Sequence, residues 1–450
     1  MRRVVITGLG AVSPFGLSAE NLWQGLISGK SGVGPLTSFN AASFPSRIAG
    51  IVPPFKTIDY VPKSYRKATK IMARDIELAV IAADGAVRSA RLATRGMIET
   101  FGGPQSLPAG WKMVDPTRVG CNIGAGLICA DLNEMTSALV KARNPDLSLN
   151  LAAWGHPAEP GKTSGMENLT PLWLLKYLPN MLACHVSIIH DTQGPSNTVT
   201  CGQASAGLAL MEACRTIQRG NADVALVGGC ESVTHPVGLM RWSLLNRLTT
   251  TGNDNPAHAC KPLDKAASGT VIGEGGAVLV IEELELARAR GAVIYAEITG
   301  LGASATGQPV GQCDSTGESM AYAMKKALGE AAISPDDVHM IIPPGYGIPA
   351  ADAADIKAIH HVFSSRSKPW VVAMRGATGD CGAGSQALDI VAAAMALHQQ
   401  TVPPGINTLN PLDGINVPHT PQTGTPLHHV LVAASSMAGQ NSVVVLKKYV

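Results

Sequence analysis

The stretch Gly194-Pro-Ser-Asn-Thr-Val-Thr-Cys-Gly-Gln-Ala-Ser-Ala-Gly207 decides how this chain is read. It leads into an Ala-rich segment, Ser205 to Arg219, whose apolar positions recur at helical spacing. It holds one thiol, Cys201, with the carboxamide of Gln203 two residues further on. A thiol can form a covalent acyl intermediate and a carboxamide cannot, because only thiolate, alcohol, amine or carboxylate groups make such adducts.

Working outward, Val4 to Leu9 and Val119 to Ile123 read as buried strands, and Arg74 to Leu92 as a helix. Asp223-Val-Ala-Leu-Val-Gly-Gly229 is a strand ending in glycines, and Gly275-Gly-Ala-Val-Leu-Val-Ile-Glu282 is another that begins after them. The same order returns near the C-terminus, with His429 to Ala434, a small-residue turn to Gly439, and Asn441 to Lys447. The openings echo as well: Ile6-Thr-Gly-Leu-Gly-Ala-Val-Ser13 against Ile298-Thr-Gly-Leu-Gly-Ala-Ser-Ala305. One architecture used twice is the natural inference.

Composition narrows the class. A chain of 450 residues can bury a large core, and 35 Lys plus Arg against 33 Asp plus Glu gives no electrostatic reason to expect nucleic acid or an anionic membrane. The nine cysteines are odd in number and scattered, and neither they nor the twelve histidines show metal-ligand spacing, so reduced thiols in a cytoplasm are expected and no metal is. His360-His361 and His428-His429 read as surface or strand-edge residues. Met1-Arg-Arg before Val4 to Val12 imitates a signal peptide, but Gly8 and Gly10 interrupt the apolar run, which reads as the first strand. No eighteen consecutive apolar residues occur, so no membrane span is expected. Gly8-x-Gly10-x-x-Ser13 imitates a dinucleotide fingerprint but lacks the final glycine and a following acidic residue, and no cofactor is expected. With aromatics at 4% and Gly and Ala abundant, tightly packed helices on a central sheet are favoured over a β-sandwich.

Taken in order, Thr7-Gly-Leu-Gly-Ala-Val-Ser-Pro14, Asn180-Met-Leu-Ala183 onward to Ser196, Asn253-Asp-Asn-Pro256, Lys261-Pro-Leu-Asp-Lys265, Gly273-Glu-Gly-Gly276 and Ala287-Arg-Ala-Arg-Gly291 resemble the β-ketoacyl-acyl carrier protein synthase II family. The resemblance covers nearly the whole chain. It implies an α/β, thiolase-like fold of duplicated βαβαβαββ halves in an α-β-α-β-α core, dividing as residues 1–285 and 286–450. Leu92 to Pro116 and Asn144 to Pro171, with Trp154 and His156, depart from the pattern and are expected as surface insertions.

The resemblance also says what should stand at the reacting positions, and this chain departs at each. The family's cysteine lies seven residues after the serine of Gly-Pro-Ser, which here is Gln203. Cys201 is the alternative nucleophile, on the same face of an extended strand but about 6 to 7 Å back, away from the helix N-terminus that would lower a thiol pKa. The first of two histidines that stabilise the malonyl enolate is replaced by Pro344 and the second by Asp380, with Arg375 in place of the family's lysine. An ionised Asp380 would repel an enolate; it could also simply pair with Arg375 at a turn. The acidic partner is shortened to Asp355, and the gating turn becomes Ser436-Met-Ala-Gly439, putting Met437, Ala438 and Gly439 at the acyl entrance.

Three functions fit this pattern. The first is a condensation-incompetent partner resembling the chain-length factors of polyketide synthases, binding acyl chains or acyl carrier protein as a homodimer or as a heterodimer with an active ketosynthase. The second is a decarboxylase like the loading ketosynthases that carry glutamine at this position. The third is altered chemistry through Cys201, Cys381 or Asp380 on the same fold.

Overall fold

The computed structural model describes residues 1–157, 159–363, 368–424 and 426–450. A twelve-stranded sheet holds ten strands that alternate with helices. In the first half these are β1 (Val4–Val12), β2 (Val119–Ala125), β3 (Ser196–Val199), β4 (Val224–Ser232) and β5 (Ile272–Glu283). In the second they are β6 (Ala296–Ala305), β7 (Met340–Ile342), β8 (Trp370–Val371), β9 (His429–Ser435) and β10 (Gln440–Lys447). The helices between them are α1 (Arg74–Ala90), α2 (Met181–His190) and α3 (Ser205–Gln218), followed by α4 (Pro236–Leu244) after β4. Their counterparts in the second half are α5 (Glu318–Ala331), α6 (Pro349–Val362) and α7 (Ser385–Gln399).

The duplication holds strand by strand. The first half runs β1-β5-β4-β2-β3 and the second β6-β10-β9-β7-β8, and the halves join where β1 pairs briefly with β6. In both, the first three strands pair antiparallel and the last three parallel. Even the irregularity repeats, with a register shift between Ile6 and Gly8 and another between Ile298 and Gly300.

The shared Thr-Gly-Leu-Gly sequence has a steric cause. A Cβ on Gly10 would stand 1.9 Å from the Ala82 carbonyl oxygen of α1, and one on Gly302 would stand 2.0 Å from that of Ala323 in α5. Each strand lets a helix backbone lie directly against it, which only glycine permits.

Three apolar cores give the layers. Helices α1 and α2 cover one face of the first half-sheet and α5 and α6 one face of the second. Between the half-sheets, α3 and α7 share a core with apolar residues of both, including Val227, Ile281, Val432 and Val444. This is the expected α-β-α-β-α sequence of layers. No helix among the described residues is long and apolar enough to cross a membrane.

Of the two divergent segments, the first is not wholly superficial. Leu92 and Met97 are fully buried and pack with α1 and α2, because the segment tucks in before it emerges. The second exposes Leu147, Leu149, Leu151 and Met166 to solvent.

Candidate functional site

The two central helices begin alike. After β3 the chain passes Cys201, makes a 3₁₀ turn over Gly202–Ala204 and enters α3; in the second half it passes Cys381, turns over Gly382–Gly384 and enters α7. Gly202 and Gly382 take positive φ of 54° and 53°, which suits a residue without a side chain. The Ser205 hydroxyl accepts from the Cys201 N–H at 2.8 Å and the Ser385 hydroxyl from the Cys381 N–H at 2.9 Å. The two turns pack against each other, so residues far apart in sequence meet between the half-sheets.

Gln203 is buried there, and its Nε2 donates to Oδ2 of Asp380 at 3.0 Å across 177 residues of sequence. The other carboxylate oxygen, Oδ1, accepts from the Gly382 N–H at 2.9 Å and from the Ser385 hydroxyl at 3.0 Å. Three donors thus converge on Asp380, which is served as an acceptor and has nothing to donate. Because Nε2 must face the carboxylate, Oε1 of Gln203 is left buried without a partner.

The remaining candidates divide into those that join this centre and those that do not. Arg375 is buried, but it pairs with Asp389 rather than with Asp380, correcting the pairing expected from sequence. Burial opposes its charge, yet Asp389 and Asp380 together outweigh that and raise its pKa. Burial in turn pushes the Asp389 carboxyl up to about 6 despite the guanidinium. Pro344 lies buried in the loop after β7 and contributes no side-chain donor. In that loop the Gly345 N–H donates to Asp355 at 3.1 Å, and the Tyr346 N–H to Asp352 at 2.9 Å.

Cys201 is not on the strand, which ends at Val199, and burial raises its pKa. It stays a thiol at neutral pH and does not line the cavity beside Gln203. Cys381 is fully buried, and burial raises its pKa also. Neither environment activates a nucleophile.

That cavity, of about 350 Å³, is bounded by Gly126, Leu127, Gln203, Glu231, Trp242 and Met437. Met437 is half-exposed on the Ser436–Gly439 turn, Ala438 is exposed, and Gly439 has a φ of 87° with Thr306 Oγ1 only 2.3 Å from where a Cβ would stand.

Two residues of the site escaped the sequence reading. Glu231, at the end of β4, has its carboxyl pushed up to about 7, chiefly by burial and further by Asp380, against the Ala383 N–H that donates to it at 2.7 Å. The signal was there: an acidic residue ends an otherwise apolar, glycine-flanked strand. Tyr346, two residues after Pro344, sends its hydroxyl to the Ser435 carbonyl and ties that loop to the turn bearing Met437. Among the described residues no cluster of three or more His, Cys, Asp or Glu is placed to hold a metal ion.

Residues 1–287 match the family described as beta-ketoacyl synthase, N-terminal domain, and residues 295–409 match beta-ketoacyl synthase, C-terminal domain. The chain is 32% identical to 3-oxoacyl-[acyl-carrier-protein] synthase 2 of Coxiella burnetii, with 99% of each chain covered. Among solved structures it is similar to a type II PKS acyl-carrier protein in complex with its ketosynthase bound to the hexaketide (TM-score 0.80, 25% identity). It is similar too to the ishigamide ketosynthase/chain length factor (TM-score 0.80, 26% identity), and both matches cover 100% of each chain. The chain belongs to the β-ketoacyl synthase family.

Proposed function

We propose that this β-ketoacyl synthase is a condensation-incompetent, chain-length-factor-type partner in fatty acid or polyketide biosynthesis, binding an acyl chain or acyl carrier protein without forming the carbon–carbon bond. The observation that carries the reading is the buried Gln203–Asp380 hydrogen bond. It puts an amide where the family resemblance calls for a thiolate, and an acceptor where it calls for a hydrogen-bond donor to the enolate. Removing one such donor typically costs about 10²- to 10³-fold in rate, and Pro344 removes a second.

The surface supports a partner. Leu127, Leu132, Leu147, Leu149, Leu151 and Leu172 are all exposed, apolar side chains that a partner could cover. β3 is the last strand of the sheet and presents one unpaired edge. The protein works in the cytoplasm as a dimer, either with itself or with an active ketosynthase, its halves dividing as residues 1–285 and 286–450.

The test is to incubate the purified protein with acyl- and malonyl-carrier proteins while following intact mass and carbon dioxide. Neither an adduct nor gas above background is expected. An acyl adduct on Cys201 would move the assignment to altered thiol chemistry. Decarboxylation that Gln203→Ala abolishes would make the protein a decarboxylase.

A further inference from the structure

The divergent segment at residues 92–116 does more than cover α1 and α2. Leu92 and Ala93 pair in parallel with Lys112 and Met113, a short helix Arg95–Thr100 follows, and Gly102 and Gly103 turn the chain at positive φ of 83° and 128°. Its two aromatic residues turn to each other, Phe101 and Trp111 packing edge to face with ring centroids 5.1 Å apart. Between this segment and the C-terminal end of α2 lies a cavity of about 560 Å³, walled by Ala93, Ile98, Met113, Val114 and Val119. Such a volume with aliphatic walls suits a small molecule. The cavity shares no wall residue with the one at Gln203.

One polar group meets it from a buried position. His190, the last residue of α2, is only 4% exposed and borders the cavity. Its Nδ1 lies 2.9 Å from the hydroxyl of Thr94, which is itself buried. Among the described residues that hydroxyl has no other acceptor, so the arrangement leaving fewest buried groups unpaired has Thr94 donate to Nδ1. Burial, with the Arg88 charge nearby, pushes the imidazole down to about 4, so the ring is neutral and carries its single proton on Nε2. Nε2 has no protein partner among the described residues. A donor held away from bulk water is costly without an acceptor, and here the acceptor must come from what fills the cavity.

Charge narrows the ligand further. The charged groups on the wall are Arg95, Glu99 and Asp191. Both Glu99 oxygens accept from Ser64, and Asp191 accepts from Gln193. Two carboxylates against one guanidinium do not favour an anion, and an uncharged imidazole does not call for one.

We infer that residues 92–116 and the end of α2 form a binding site for an uncharged, apolar molecule bearing a carbonyl acceptor, held by the Nε2–H of His190. The inference goes beyond the function proposed above and stands whichever way the Gln203 centre is read.

The test is titration calorimetry with 2-octanone, and with octanoate as an anionic probe of the same length. Wild type is expected to bind the ketone, and octanoate more weakly. His190→Phe keeps a ring but removes the donor, and should weaken ketone binding by about 3- to 10-fold, the worth of one neutral hydrogen bond. Ile98→Trp fills the cavity and should weaken it by at least about 10-fold; it decides the matter if His190→Phe does not fold, since Ile98 is only partly buried. No binding of the ketone by wild type, octanoate bound as tightly as the ketone, or unchanged affinity in either variant would each overturn the assignment.

Discussion

Replacing Glu231 with Gln should change how stability depends on pH, by an amount the site itself sets. Glu231 is wedged tightly: a Cβ on Gly126 would fall within 2.2 Å of its carboxylate atoms, and one on Gly382 would come within 2.0 Å of Oε2. Glutamine keeps that shape and can still accept from the Ala383 N–H. Burial, with the added repulsion of Asp380, raises the carboxyl from 4.5 to about 7. A carboxyl raised on folding holds its proton more tightly in the folded chain. Its contribution is therefore full below pH 4.5 and is lost as pH climbs through about 7. At about 1.4 kcal/mol per pH unit, wild type should lose about 2–3 kcal/mol relative to Glu231→Gln between pH 5 and pH 7.5. Asp352 and Asp389, raised by burial to about 7 and about 6, titrate in the same window but largely cancel in the comparison. The assay is urea unfolding of both proteins at the two pH values. A stability difference that does not change with pH would refute the reasoning.

Other outcomes follow from the same contacts. Asp389→Asn should destabilise the fold by about 3–5 kcal/mol, because the Arg375 guanidinium would stay buried without its counter-charge; equilibrium unfolding checks this. Gly10→Ala and Gly302→Ala should each cost about 1–3 kcal/mol or more, since the new methyl would collide with backbone carbonyls of α1 and α5. Thermal melts that spare either variant would contradict the close strand–helix approach. By light scattering at micromolar concentration the protein should be a dimer, and a monomer would remove the partner from the account.

Much of the fold was legible because its cause is local. The Thr-Gly-Leu-Gly echo at residues 7–10 and 299–302 marks two strands that must admit a helix backbone, and small residues there admit few alternatives. The strand and helix assignments along both halves match the structure to within a few residues for the same reason. The contacts of the site were less legible because they are made between distant segments. That Asp380 is taken by Gln203 depends on how the two helix-initiating turns face each other, which no local pattern encodes, whereas Arg375 finds Asp389 only fourteen residues further on. Cys201 was placed on a strand that in fact ends two residues earlier, at Val199. Leu92 and Met97 were placed on the surface because a departure from the family pattern carries no information about burial.

The central claim is that the condensing centre has been dismantled, and the most direct measurement is β-ketoacyl product formation by Gln203→Cys from acyl- and malonyl-carrier proteins. The new thiol would sit at the start of α3, where the helix N-terminus can lower its pKa and permit slow acylation. Asp380 would still face it as an acceptor, and Pro344 would still offer no donor. With two enolate donors missing at about 10²- to 10³-fold each, acylation without detectable condensation is expected. Robust turnover by Gln203→Cys alone would mean that other donors complete the site, and the account would fail.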